Sequence, residues 1–289
     1  MTHAAGKKAL ILYHTCSRNT ARIAKEAEKA ITSCGWEVEM AALRSAGKSM
    51  TSELPGMLVL GTPVQYFTVP ETALKMIRHL PRLNGIPSFV FASYGGCVTN
   101  NVPFTLAREL SKKGATILGG GLFLTPHSCR INGRDTLGGT EDAFGKGRPN
   151  DSDMAMLRTA MKKLTAKIDN NEQEALDLDR LKIHTAGIIG KFMDMTSPLK
   201  VKRAFMPHVK TDPDACTGCG KCAMVCDDGS IEYDENDKPI IDRNTCTKCY
   251  ACIEQCDDGA LTTNWKQAEF VVRSANKVAK NNSKTIVVH

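Results

Sequence analysis

No segment of the 289-residue chain reaches the roughly 20 consecutive apolar residues that a membrane-crossing helix requires, so no membrane-spanning helix is expected. The N-terminus, Met1 to Lys8, shows no cleavage pattern ahead of its short apolar stretch, which argues against a signal peptide and for a reducing cytoplasm. No triad of nucleophile, base and orienting acid stands out, so no catalytic residue is assigned. Cations are scarce in one region. Residues 211–264 hold 4 Lys+Arg against 12 Asp+Glu, a net charge of −8. That deficit excludes nucleic acid as the partner of this region, because phosphate binding needs clustered cations. The rest of the chain carries +15.

Cysteine is what the acidic region does have. Cys216, Cys219, Cys222 and Cys226 form C-x2-C-x2-C-x3-C, and Cys246, Cys249, Cys252 and Cys256 repeat it. This spacing is that of bacterial two-cluster [4Fe–4S] proteins, in which the fourth cysteine of each run ligates the other cluster. The expected sets are therefore Cys216, Cys219, Cys222 and Cys256 on one cluster, and Cys246, Cys249, Cys252 and Cys226 on the other. Zinc is the competing metal, but structural zinc pairs two short elements around one tetrahedral ion and suits these runs poorly. A disulfide framework would belong in a small secreted domain. Cys16, Cys34, Cys97 and Cys129 are scattered and read as ordinary thiols.

The repeat extends past the ligands, since Cys226-Asp-Asp-Gly matches Cys256-Asp-Asp-Gly. Proline, usual after the fourth cysteine, is replaced by Asp227 and Asp257. Negative charge beside a cluster should favour its oxidised form and lower its potential. Ile231 to Tyr233 and Pro239 to Ile241 flank a polar turn and read as a hairpin.

Residues 1–170 alternate short apolar runs with amphipathic stretches. Strands are expected at Lys8 to Tyr13, Trp36 to Ala41, Gly56 to Gly61, Ser88 to Ser93 and Ala115 to Leu124. Helices are expected at Ala21 to Ile31, Glu71 to Leu80, Val102 to Lys112 and Asp153 to Ile168. Fully apolar strands between helices imply a parallel sheet covered on both faces. A ligand then sits outside the carboxyl ends of the strands, where residues 14–20, 62–69 and 93–99 converge. Thr15, Cys16, Ser17, Arg18, Asn19 and Thr20 lie between a strand and a helix start, an anion-binding arrangement. The plainer reading of these hydroxyls is as helix N-caps.

The N-terminal part resembles a flavodoxin, with Thr15 to Thr20 at that family's phosphate loop. The whole chain resembles the flavodoxin–ferredoxin fusion proteins sometimes called ferrodoxins. Thr62, Pro63, Val64, Gln65 and Tyr66 fit the family's second loop, and Ser93, Tyr94, Gly95 and Gly96 fit its third. His127-Ser128 and Gly147 to Asn150 fit further family segments. The resemblance implies a five-stranded doubly wound sheet of order 2-1-3-4-5, FMN at these loops, and Tyr66 and Tyr94 as stacking candidates. It implies two [4Fe–4S] clusters in a small α+β module. Cys16 and Arg18 replace the usual loop glycines, and the second loop lacks the glycine that flavodoxins often use at the flavin ring.

The expected organisation is a flavodoxin-like domain over 1–170, a basic and partly helical connector over 171–210, the cluster module over 211–264 and a helical tail over 265–289. The connector from 180 to 210 carries 7 Lys+Arg against one acid, Asp194. The function expected is electron transfer between FMN, the clusters and a redox partner protein, in an oxygen-poor cytoplasm. An acidic module suits a basic patch on that partner. Two alternatives are a flavin-dependent reductase acting on a small organic substrate and a non-redox zinc-binding interaction module. In the first, the polar stretch 129–150 (Cys129, Arg130, Asn132, Arg134, Asp135) would roof the substrate pocket.

Overall fold

The computed structural model describes residues 7–50, 54–96, 99, 101–127, 145, 147–183, 203–267, 270 and 284–289. Cys97, the stretch from Ser128 to Phe144 and most of the basic connector and tail helix fall outside them.

Five parallel strands, as the alternating pattern predicts, run in the order β2-β1-β3-β4-β5 that the resemblance implies. They are β1 (Lys8–Tyr13), β2 (Glu37–Ala42), β3 (Met57–Pro63), β4 (Pro87–Tyr94) and β5 (Thr116–Leu124). β4 is buried along its whole length, as a central strand covered on both faces must be.

Two separate cores lie on the two faces. One packs α1 (Asn19–Thr32) and the long helix Asp151–Asp169 against Ile11, Val59, Phe89 and Phe91. In α1, Ile23, Ala24, Ala27, Ala30 and Ile31 recur at three- and four-residue intervals. They form the apolar stripe that turns the helix onto the sheet. The other core packs the helices Glu71–His79 and Val102–Lys112 against Leu10, Leu58, Leu60 and Val90. The Asp151–Asp169 helix is fixed at its start by a reciprocal capping box. Asn150 Oδ1 accepts from the Asp153 N–H at 3.0 Å, and Asp153 Oδ2 accepts from the Asn150 N–H at 2.8 Å.

The structure extends this domain beyond the expected boundary at residue 170. Leu181 and Ile183 are buried in the core of the α/β domain. More unexpectedly, the C-terminal tail returns to the sheet. Ile286–Val288 pairs antiparallel with β5 and closes that edge as a sixth strand. Glycine on β5 permits the approach, since a Cβ on Gly119 would stand 2.8 Å from the Val288 carbonyl oxygen. The cluster module thus leaves the α/β domain and comes back to it, tethered at both ends.

Within residues 203–264, Lys210–Thr211 pairs with Leu261–Thr262, and Ile231–Tyr233 pairs with Pro239–Ile241 as the expected hairpin. A small core of Met206, Val209, Cys222, Tyr250 and Leu261 holds the module. Tyr66 and Phe67 of the second strand-end loop pack against that same core. Among the described residues, no helix is long and apolar enough to cross a membrane.

Candidate cofactor sites

Each cysteine run opens on a loop with two left-handed residues and closes on one helical turn. Gly218 (φ 72°) and Gly220 (φ 75°) take these positions in the first run, and Lys248 (φ 56°) and Tyr250 (φ 60°) in the second. Such alternation turns backbone N–H groups inward, which suits anionic sulfur. The amides of Ser230 and Lys248 lie 3.3 and 3.4 Å from the sulfurs of Cys226 and Cys246. Non-glycine residues tolerate the left-handed region at a cost, and here their side chains are anchored. Lys248 Nζ donates to the carbonyls of Met206 and Arg203 at 2.6 and 3.1 Å, and Tyr250 Oη to that of Pro207 at 2.8 Å.

Among the described residues, no three His, Cys, Asp or Glu side chains converge as a single-ion site would require. The cysteines fall into two sets of four. Cys216, Cys219, Cys222 and Cys256 line one pocket of about 330 Å³. Cys226, Cys246 and Cys252 have raised thiol pKa values, first from burial and then from the charges of neighbouring cysteines of this set, Cys249 among them. Four cysteines around one pocket fit a cubane cluster, in which every iron takes its own thiolate.

The strand-end loops meet the module directly. Arg18 Nη2 donates to Gln255 Oε1 at 2.9 Å, and Tyr66 Oη donates to the carbonyl of Thr247 at 3.0 Å. Cys16 and Cys249 line a shared pocket of about 260 Å³ at this boundary. The neighbouring Cys16 thiol, against the cost of burial, holds the Cys249 thiol down to about 7, and the Cys249 sulfur together with burial holds Cys16 well above its ordinary value.

The loop residues expected to hold a flavin are brought together unevenly. Thr20 Oγ1 lies 2.8 Å from Ser93 Oγ, joining the first and third loops, and Asn19 donates to the carbonyl of Pro126 at 3.0 Å. Thr15 Oγ1 and Thr62 Oγ1 are buried with no hydrogen-bond partner among the described residues. Orphaned hydroxyls at two strand ends fit a polar ligand that would satisfy them. Arg18 adopts φ 63°, so the loop keeps a left-handed residue although glycine is absent.

Gln65–Thr68 forms a two-residue hairpin turn with Tyr66 (φ 50°) and Phe67 (φ 68°) at its centre. Both central residues are left-handed, a turn that prefers Asn-Gly. Their packing on the module core compensates. Tyr94 does not fill the stacking role proposed for it. Its ring is buried in the α/β core, and its hydroxyl donates to the Lys284 carbonyl at 2.8 Å, tying down the C-terminal strand. Gly95 instead packs against His127, where an added Cβ would stand 2.6 Å from the imidazole. The stretch proposed to roof a substrate pocket lies almost wholly outside the described residues.

Two residues that sequence reasoning does not single out bond the module. His14 Nδ1 lies 2.9 Å from Asp227 Oδ2, and Arg44 Nη1 lies 3.0 Å from Asp227 Oδ1. Burial raises the Asp227 carboxyl, but these two partners outweigh it and hold it below the usual range. Asp257 pairs with Lys221. Both aspartates are thus charge-compensated, which removes the reason to expect them to depress the cluster potentials.

Residues 208–257 match the family model described as a 4Fe-4S dicluster domain. No curated protein matches the chain. Among solved structures it is similar to a flavodoxin from the domain Archaea, at 17% identity and TM-score 0.41, over 56% of this chain and 99% of that one. It is also similar to a Streptococcus pneumonia TIGR4 flavodoxin, at 16% identity and TM-score 0.41, over 55% of this chain and 99% of that one. A third is the rubredoxin oxygen:oxidoreductase of the anaerobe Desulfovibrio gigas, at 16% identity and TM-score 0.39, over 57% and 37%. The class of the α/β part rests on its own sheet order. The chain joins a flavodoxin-like α/β domain to a 4Fe-4S dicluster domain at residues 208–257.

Proposed function

We propose that this protein is an electron carrier in which FMN at the strand-end loops exchanges electrons with two [4Fe–4S] clusters, and the clusters with a redox partner protein. Cys216, Cys219, Cys222 and Cys256 would hold one cluster, and Cys246, Cys249, Cys252 and Cys226 the other. Thr15, Cys16, Ser17, Arg18, Asn19 and Thr20 would hold the flavin phosphate. Thr62 to Tyr66 and Ser93 to Gly96 would border the ring. When bound, FMN supplies conversion between two-electron and one-electron steps, and the clusters supply single-electron steps.

The observation that carries this reading is the shared boundary. Cys16 and Cys249 line one pocket, and Arg18 and Tyr66 hydrogen-bond Gln255 and Thr247 of the module, so the first two strand-end loops and a cluster loop meet directly. The chain's own residues do the positioning. Tyr66 and Phe67 pack against the module core, and the C-terminal strand pairs with β5.

Thr15→Ala tests the flavin half. If Thr15 Oγ1 meets the phosphate, the variant binds FMN on the order of tenfold more weakly, with its iron content unchanged. Wild-type affinity would remove the phosphate loop from this assignment.

A further inference from the structure

The two halves of the cluster module are related residue by residue, Cys216 aligning with Cys246 and each position with the one 30 later. Part of their bonding obeys that symmetry. Thr217 Oγ1 donates to Asp258 Oδ2 at 2.6 Å, and its equivalent Thr247 donates to Asp228 Oδ2 at 2.5 Å. Each half is thereby clasped by the other.

The first aspartate of each pair breaks the symmetry. Asp257 is bonded by Lys221 of its own module and remains 74% exposed. The equivalent of Lys221 is Ala251, which offers no ammonium. Asp227 reaches across to the α/β domain instead. His14 and Arg44 flank its two oxygens, and its side chain is only 14% exposed. Beside it, Asp228 accepts the hydroxyl of Thr72, also from the α/β domain. The cysteines differ in step, Cys219 being exposed and its equivalent Cys249 partly buried beneath Cys16.

We infer that Asp227 is the positioning residue that docks the Cys226, Cys246, Cys249 and Cys252 site against the α/β domain at His14 and Arg44, beside the Thr15–Thr20 loop, leaving the site around Cys219 as the outward-facing one. A single change between the copies, lysine to alanine, releases one aspartate for this task. The inference deepens the proposed function, on which its redox meaning rests, but the docking itself is readable without turnover. Electrons from the loop edge would meet the Cys249 site first, and a partner protein would meet the Cys219 site.

The test uses the full chain, purified anaerobically, with Asp227→Ala, Asp257→Ala and Arg44→Ala. Amide hydrogen exchange is read over residues 14–20 and 247–251, alongside iron, sulfide and flavin content. Local opening governs such exchange. Asp227→Ala is expected to speed it by about tenfold in both segments, Arg44→Ala by less, and Asp257→Ala not at all. Wild-type protection in Asp227→Ala, or equal loosening in Asp257→Ala, overturns the inference. Should Asp227→Ala lose its iron, Arg44→Ala decides, since that residue lies outside the module and unchanged protection there counts against docking. Absence of flavin or iron from the wild type would instead defeat the proposed function, and the exchange pattern would still judge the docking.

Discussion

Cys256 belongs to the second cysteine run, yet it shares a pocket with Cys219 of the first. Three thiolates two residues apart wrap only one side of a cubane, so the proposed ligation takes the fourth from the other half of the module. Cys256→Ser should therefore damage the cluster of Cys216, Cys219 and Cys222. Iron and sulfide should fall by up to about half, with the other cluster's EPR signal retained. Loss confined to the cluster of Cys246, Cys249 and Cys252 would show uncrossed ligation.

Arg18 holds two opposed effects at one position. Its φ of 63° is costly for a residue with a Cβ, while its guanidinium bonds Gln255. Arg18→Ala keeps the strain and loses the bond, whereas Arg18→Gly loses both. The glycine variant should be more stable than the alanine variant by about 1 kcal/mol, measured by denaturant midpoint. Equal midpoints would mean that the loop relaxes out of the left-handed conformation.

His127 gives the α/β domain an acid sensitivity. Its imidazole retains a little solvent contact, but packing beside Gly95 pushes its pKa down to about 4 by burial. A histidine depressed in the fold binds its proton more readily when unfolded. Its neutral form therefore costs nothing above about pH 6.5, and stability is lost as pH falls from there toward 4. The loss attributable to this side chain is at most about 3 kcal/mol, and residual hydration reduces it. His127→Gln should flatten the stability profile across that window while leaving the region above pH 7 little changed. A profile identical to wild type would assign the sensitivity to other groups.

Much of this architecture is legible in the sequence because it rests on local patterns. Fully apolar strands such as Phe89 to Ala92 and the stripe Ile23, Ala27, Ile31 define the sheet and its helices, while the strand order comes from the resemblance to flavodoxins. The cysteine runs are legible because ligand spacing is itself the signal. What escapes is whatever depends on two distant segments meeting. Ile286–Val288 is three residues long, too short to announce a strand without β5 beside it. His14 reads as the polar end of a strand until Asp227 is brought against it. Tyr94 looks like a stacking residue in a loop, and only the return of Lys284 reveals that its hydroxyl is already engaged. The difference between Lys221 and Ala251 is present in the repeat, but its meaning needs the partner domain.

The central claim is that one chain carries both kinds of redox cofactor. Its most direct test is the iron, acid-labile sulfide, zinc and acid-released flavin content of the anaerobically purified protein. The account predicts about eight iron, eight sulfide and one FMN per chain, the load of two cubanes and one phosphate loop. Zinc in place of iron, at about one ion per four cysteines, or iron with no flavin, would contradict it.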